Sequence, residues 1–118
     1  LSGVVIHGDK LGRKIGFPTA NIKVTDDIKV IPANGVYACY VFLNGEKLKG
    51  MLNIGTRPTV NGAERRIEVH VLDYDADFYD QQLTLHIIDR IRDEKKFDSV
   101  EELSARLIID KNLANNIL

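Results

Sequence analysis

Two short oxygen-bearing side chains, Thr19 and Asn21, follow a proline in the stretch GFPTANI. Pro18 fixes its own φ angle and biases the preceding Phe17 toward extended geometry. If the chain stays extended, residues two apart point to the same side, so the Thr19 hydroxyl and the Asn21 amide oxygen would converge. Two neutral oxygens at one point suit a hard cation whose charge is balanced by nucleotide phosphates. The alternative is a turn in which both side chains bond the local backbone.

Glu68 is the candidate general base. In the segment RIEVHVLDY the side chains of Ile67, Val69 and Val71 face one way, and those of Glu68 and His70 face the other. A carboxylate in the middle of a strand is either a solvated side chain or, more specifically, a general base at the mouth of a barrel. His70 could assist it, although a lone strand histidine is more often a surface residue. The sequence contains no zinc-type ligand spacing, and no Ser-His-Asp set can be argued from it.

The segment GDKLGRKIG, from Gly8 to Gly16, has glycine at every fourth position and three basic residues between the glycines. Glycines let backbone N–H groups approach an anion, and the cations favour phosphate. The segment is neither a Walker A loop, because no Gly-Lys-Ser/Thr follows, nor a dinucleotide fingerprint, because the spacing differs and no helix follows. It is therefore either a loop that covers phosphates or a flexible basic hairpin loop.

A third candidate segment, IRDEKKFDS, spans residues 91–99 and joins the last predicted strand to a predicted helix. Arg92, Glu94 and Phe97 supply a guanidinium fork, a carboxylate and an aromatic face beside the start of that helix. Such a set suits a ligand-binding loop. The alternative is a charged linker in which Phe97 anchors the helix.

The elements that must position these residues are mostly strands. Apolar alternation predicts strands over residues 3–7, 35–43, 46–54, 66–74 and 83–91. The pair Asn44-Gly45 between two of them is a strong hairpin signal. Strands in this spacing with no helices between them favour an antiparallel sheet or a closed barrel.

The end of the chain changes its period. The stretch SVEELSARLIIDKNLANNI opens with a capping box formed by Ser99 and Glu102. Val100, Leu103 and Leu107 then fall on one helical stripe. We therefore predict one C-terminal helix that packs on the barrel.

Length and composition restrict the class of protein. The 118 residues suffice for one domain with a core, and a net charge of −1 with a pI near 6.3 weighs against duplex nucleic-acid binding. No apolar run reaches membrane-spanning length, so no membrane partner is expected. A single cysteine, Cys39, excludes an internal disulfide and fits a reducing compartment, hence a cytoplasmic location. The chain begins without Met, and we expect it to be a piece of a longer protein.

Six stretches in order resemble the riboflavin kinase family, specifically the kinase module of bacterial bifunctional riboflavin kinase/FAD synthetase. They are GDKLGRKIGFPTANI, NGVYACYV, LNIGTRPTV, IEVHVLDY, DFYDQQLTL and IRDEKKFDSVEEL. The resemblance covers almost the whole of residues 1–118. One departure is Asp80, where the family commonly has glycine after Phe-Tyr. Because Asp can adopt the left-handed region, we expect the function to be unaltered, although the departure could alter that turn.

The resemblance implies a mainly β fold, a six-stranded antiparallel β-barrel with a C-terminal α-helix. It implies transfer of the γ-phosphate of ATP to the ribityl 5′-hydroxyl of riboflavin, giving FMN and ADP. An N-terminal adenylyltransferase domain, which makes FAD from FMN in bacterial relatives, would be covalently linked in the parent chain. Neither a nucleic acid nor a membrane is an expected partner.

The resemblance also assigns residues. Glu68 would be the catalytic base, and Thr19 and Asn21 would be the ligands of Mg²⁺. The implied ATP-binding residues are Gly8, Lys14, Gly16, Pro18, Thr19, Asn21 and Phe78, with Phe78 near the adenine. The implied flavin-binding residues, in a flap that closes over the flavin, are Arg92, Glu94 and Phe97.

Two rival hypotheses are a flavin- or nucleotide-binding barrel without catalysis and an oligonucleotide-binding barrel. An intact Thr19, Asn21 and Glu68 set argues against the first. The second would require a basic groove with exposed aromatic residues, which the near-neutral charge does not favour.

Overall fold

The computed structural model describes residues 1–9, 16–25, 31–73 and 80–118, and for residues 7–9 and 57 it describes the backbone alone. Within these ranges the chain forms six strands and one helix. They are β1 (Ser2–Asp9), β2 (Thr19–Val24), β3 (Gly35–Leu43), β4 (Glu46–Thr59), β5 (Gly62–Val71), β6 (Gln82–Arg92) and α1 (Val100–Ile117). Across the described part of the chain, no helix is long and apolar enough to cross a bilayer.

The six strands close into an antiparallel barrel in the order β1-β2-β5-β4-β3-β6, with β6 paired to β1. This arrangement confirms the predicted fold. The β2–β5 pairing joins strands that are distant in sequence. It matters most for the site, because these two strands carry the candidate metal ligands and the candidate base.

Turn residues behave as their types predict. Asn44 and Gly45 have φ angles of 51° and 80° between β3 and β4, which matches a two-residue hairpin turn with both central residues left-handed. Asp80 also has a positive φ, 64°, so the aspartate adopts the conformation that a glycine would supply.

Apolar side chains form two clusters on opposite sides of the barrel wall. The inner core fills the barrel and includes the inward-facing positions of β5, Ile67, Val69 and Val71. The outer cluster lies between the barrel wall and α1, and its buried members are Phe17, Ala38, Met51, Leu72 and Ala114. Cys39 belongs to the inner core as a free thiol, and burial raises its pKa to about 12.

The helix begins as predicted, with one difference in its capping box. The Ser99 hydroxyl accepts a hydrogen bond from the Glu102 backbone N–H at 3.1 Å, whereas the Glu102 carboxylate accepts from the N–H of Asp98 rather than from that of Ser99. The predicted stripe is wrong at Val100, which is 44% exposed. Packing against the barrel runs from Leu107 toward the C-terminus, so the first turn of α1 lies outside the packed region.

Candidate active site

Glu68 stands between two asparagines in a row that crosses three strands. The register pairs it with Asn21 of β2 on one side and with Asn53 of β4 on the other. Since Ile67 and Val69 point into the inner core, the Glu68 side chain projects outward. Of the two alternatives for this carboxylate, the fully solvated one does not describe it, because its side chain is on the outer side of the wall but only 12% exposed.

Arg66 connects the candidate base with a candidate metal ligand. Its Nη2 donates to Asn21 Oδ1 at 3.0 Å and lies 3.6 Å from Glu68 Oε1. The Arg66 and Glu68 side chains are only 19% and 12% exposed, so solvent screens this cation and carboxylate less than it would a surface pair. Sequence reasoning missed Arg66, although its position two residues before Glu68 on an alternating strand was the available signal.

Thr19 carries the unusual polar atom of the site. Its side chain shares the outward face of β2 with Asn21, because Ala20 and Ile22 between and beyond them belong to the inner core. Thr19 Oγ1 is buried, and within the described ranges it is the only such side-chain atom without a hydrogen-bond partner. A buried hydroxyl without a partner costs about 1–3 kcal/mol. A ligand that binds this oxygen would offset that cost, which fits a hard cation.

A pocket of about 80 Å³ opens beside Glu68. Its lining residues are Asn53, Gly55, Thr56, Arg66, Glu68 and Glu94. Glu94 reaches this pocket from the segment after β6. Its carboxylate lies so close to Gly55 that a methyl group added to Gly55 would overlap the carboxylate, at 2.9 Å from the carboxyl carbon. The structure thus brings one of the three predicted flap residues to the same pocket as the candidate base.

Of the other two predicted flap residues, Arg92 pairs with α1 and Phe97 contacts Arg92. Arg92 Nε donates to Asp110 Oδ1 and Oδ2 at 3.1 and 2.9 Å, and Arg106 Nε donates to Oδ1 of the same carboxylate at 2.9 Å. Asp110 is fully buried. The Arg92 guanidinium also lies 5.5 Å from the centre of the Phe97 ring. These pairs fasten the end of β6 to the helix, and the residues that form them do not line the pocket.

Several predicted nucleotide-binding positions fall partly or wholly outside the described residues. Lys14 and Phe78 lie in the undescribed ranges 10–15 and 74–79. Gly8 pairs with Ala20 in the β1–β2 register, and Gly16 has a φ of 84°, a left-handed conformation that glycine adopts at little steric cost.

His70 is not the surface residue that its pattern favoured. It is 8% exposed, and its Nδ1 donates to the carbonyl oxygen of Pro18 at 2.7 Å. Its ring lies 5.3 Å from that of Phe17 at an angle of 60°. Burial lowers the pKa of His70 despite the opposing effect of the hydrogen bond to Pro18. A periodicity of two identifies the face of a strand residue but not what covers that face.

Comparison with known proteins places the chain in one family. The sequence profile of riboflavin kinase (Flavokinase) matches residues 1–118. The bifunctional riboflavin kinase/FMN adenylyltransferase of Escherichia coli K12 is 46% identical over 112 residues, which are 94% of this chain but 35% of that protein. The chain therefore spans about a third of the length of the curated relatives it matches.

Solved structures agree on the fold. A crystal structure from Streptococcus pneumoniae, titled a macrolide-efflux protein, has a TM-score of 0.90 and 39% identity, covering 98% of this chain and 38% of that one. Riboflavin kinase from Trypanosoma brucei has a TM-score of 0.66 and 24% identity, covering 100% of this chain and 78% of that one. The chain belongs to the riboflavin kinase family.

Proposed function

We propose that this domain transfers the γ-phosphoryl group of ATP to the ribityl 5′-hydroxyl of riboflavin, giving FMN and ADP. The observation that carries the proposal is the arrangement on the outer wall of β2 and β5. It combines the Thr19 hydroxyl, which is buried and has no hydrogen-bond partner among the described residues, with the Asn21 amide and the Glu68 carboxylate in adjacent rows. Family membership identifies flavin and nucleotide as the ligands to test against that arrangement.

Glu68 accepts the proton of the ribityl hydroxyl in this mechanism. As the bond from the hydroxyl oxygen to the γ-phosphorus forms, the bond from that phosphorus to the oxygen bridging to the β-phosphate breaks, and ADP leaves. Phosphoryl transfer passes through a loose transition state, so alignment of the hydroxyl matters as much as basicity. A position in the middle of a paired strand suits this task, because the β5 backbone is bonded on both sides.

Thr19 and Asn21 would hold Mg²⁺ together with the nucleotide phosphates. Bound there, the ion would neutralise charge that develops on the transferred group. Mg²⁺ keeps several waters and takes few protein ligands, so two neutral oxygens suffice. Among the described side chains no three His, Cys, Asp or Glu residues are grouped as a metal site. Phosphates rather than carboxylates would therefore supply most of the negative charge around the ion.

The remaining assignments complete the proposal. Glu94 contacts the flavin substrate from the pocket, while Arg92 and Phe97 belong to the segment that closes over it. Gly8, Lys14, Gly16, Pro18 and Phe78 contact ATP. The parent chain also carries an adenylyltransferase domain that converts FMN to FAD. The parent chain acts in the cytoplasm, a location that the free thiol of Cys39 supports.

Incubation of the domain with riboflavin and Mg-ATP, followed by chromatographic separation of flavins, tests the proposal. We expect FMN and ADP to appear in equal amounts, and no FMN when EDTA removes the divalent ion. Calorimetric titration with riboflavin and Mg-ADP runs in parallel. Binding of both ligands without turnover would mean that the domain is a flavin- and nucleotide-binding barrel and not a kinase. Absence of binding would refute both hypotheses.

A further inference from the structure

His70 lies between the pocket and the helix on the outward face of β5. Glu68 precedes it by two residues on the same face of β5, and Leu72, the residue after the end of β5, belongs to the outer cluster. His70 does not line the pocket. Its contacts are instead with the residues that lead into β2.

Pro18 can be held through one backbone group only. Proline lacks an N–H, so the carbonyl is its sole backbone hydrogen-bonding group. Strand β2 and its described pairing with β1 begin at Thr19, so Pro18 precedes the ladder. The hydrogen bond from His70 Nδ1, at 2.7 Å, ties this residue to β5.

Phe17, the residue before Pro18, also contacts His70. Its ring lies against the His70 imidazole at a centroid distance of 5.3 Å, and it is buried in the outer cluster. The two contacts of His70, one polar and one apolar, therefore fix consecutive residues immediately before Thr19.

We propose that His70 is a positioning residue for the metal–nucleotide site, whose hydrogen bond to Pro18 sets the direction of the Thr19 hydroxyl. The peptide between Pro18 and Thr19 is planar, so a fixed carbonyl also fixes the nitrogen from which Thr19 begins. Thr19 Oγ1 has no hydrogen-bond partner within the described ranges that could orient it. Its direction therefore follows from its backbone and its rotamer. The inference rests on the proposed function, since that function gives the Thr19 hydroxyl its ligand.

Two substitutions separate positioning from packing. In His70→Asn the side-chain N–H₂ is attached to Cγ, as Nδ1 is in histidine, whereas in His70→Gln it lies one bond further out. Both variants lose the ring contact with Phe17 and should be less stable than the parent, His70→Gln more so because it also loses the hydrogen bond. We expect His70→Gln to raise the KM for Mg-ATP about tenfold, because a factor of this size corresponds to the loss of one hydrogen bond. His70→Asn should raise it less than about threefold, and the KM for riboflavin should change less than about twofold in either variant.

His86→Gln is the matched control. His86 is another strand histidine whose ring lies on a phenylalanine, Phe42, at 4.6 Å and 58°, and its substitution should leave the KM for Mg-ATP unchanged. Equal KM values for Mg-ATP in His70→Asn and His70→Gln would overturn the inference and leave His70 a packing residue. If the unsubstituted domain makes no FMN, the proposed function fails first, and this comparison is then made on Mg-ADP affinity.

A measurement on the unsubstituted domain covers the case in which neither variant folds. The inference requires neutral His70 to carry its proton on Nδ1. Imidazole nitrogen chemical shifts should report that tautomer. The tautomer protonated at Nε2 would remove the donor to Pro18 and overturn the inference.

Discussion

Replacement of Thr19 by valine should stabilise the empty domain and weaken nucleotide binding at the same time. Valine has nearly the shape of threonine, with a methyl group in place of the hydroxyl. Because Thr19 Oγ1 is buried without a hydrogen-bond partner in the described structure, the substitution removes an uncompensated polar group. The full cost of such a group is about 1–3 kcal/mol. We expect the free energy of unfolding to rise by about 1 kcal/mol and the melting temperature by about 4 °C.

The same substitution removes one proposed oxygen ligand of the ion. Interactions with charged partners are worth about 1.5–3 kcal/mol, so the KM for Mg-ATP should rise roughly 10- to 100-fold. Thermal unfolding without ligands and steady-state kinetics at varied Mg-ATP measure the two effects. Thr19→Ser is the matched control, because it keeps the hydroxyl while it removes the methyl group. It should bind Mg-ATP nearly as the parent does and be slightly less stable.

Opposite signs of the two effects are the test. A loss of stability of more than about 1 kcal/mol in Thr19→Val would mean that the hydroxyl is bonded within the folded chain. An unchanged KM for Mg-ATP would remove Thr19 from the metal site. Either result would refute the reasoning.

Three further outcomes follow from the contacts described above. Glu68→Gln should lower kcat by about 10²- to 10⁴-fold with little change in riboflavin affinity. Glu64 is an exposed carboxylate on the same face of β5, and Glu64→Gln should leave kcat within about twofold of the parent value. Comparable kcat values for both variants would exclude Glu68 as the base. Asp110→Ala leaves two arginines without their buried partner and should cost about 3–5 kcal/mol in chemical denaturation. Lys111→Ala, which removes an ion pair to the exposed Asp73 at 3.7 Å, should cost under about 0.5 kcal/mol. Burial lowers the pKa of His70 below 6.5 in the folded domain, so the unfolded chain takes up the proton first as the pH falls. The stabilising effect of neutral His70 is therefore complete above about pH 6.5 and is lost as pH falls through the folded-state pKa. Unfolding curves from pH 7.5 to 5 should show a smaller loss of unfolding free energy in His70→Asn than in the parent, and parallel losses would contradict this.

Local signals determined the parts of the fold that sequence reasoning predicted best. The bounds of β3 were predicted as 35–43, and the structure gives Gly35–Leu43, because the Asn44-Gly45 turn specifies the register of that hairpin from inside it. Strand β4 is five residues longer than predicted and runs to Thr59. Its last residues include a proline and break the apolar alternation. They remain extended because they pair with the beginning of β5.

The candidate site required information that no local window contains. Alternation placed Thr19 with Asn21, and separately identified the face of Glu68. Their proximity depends on the β2–β5 pairing, which joins strands separated by two others in sequence. The buried setting of His70 was missed for the same reason, because its partner lies just before β2. Alternation alone could have placed Arg66 on the face of Glu68, but its bond to Asn21 again depends on the β2–β5 pairing.

The outward face of β5 relates the chemistry of the site to the packing of the helix. Along it, Glu68 faces the pocket and His70 bonds to Pro18 just before β2, and Leu72, directly after the strand, packs in the outer cluster beneath α1. Phe17 belongs to that cluster and also contacts His70, so the helix packs against the same turn that leads to Thr19. The inner core that fills the closed barrel contains none of these residues. We therefore infer that the barrel interior specifies the fold, whereas the outer cluster and its helix specify how accurately the candidate ligands and base are aligned.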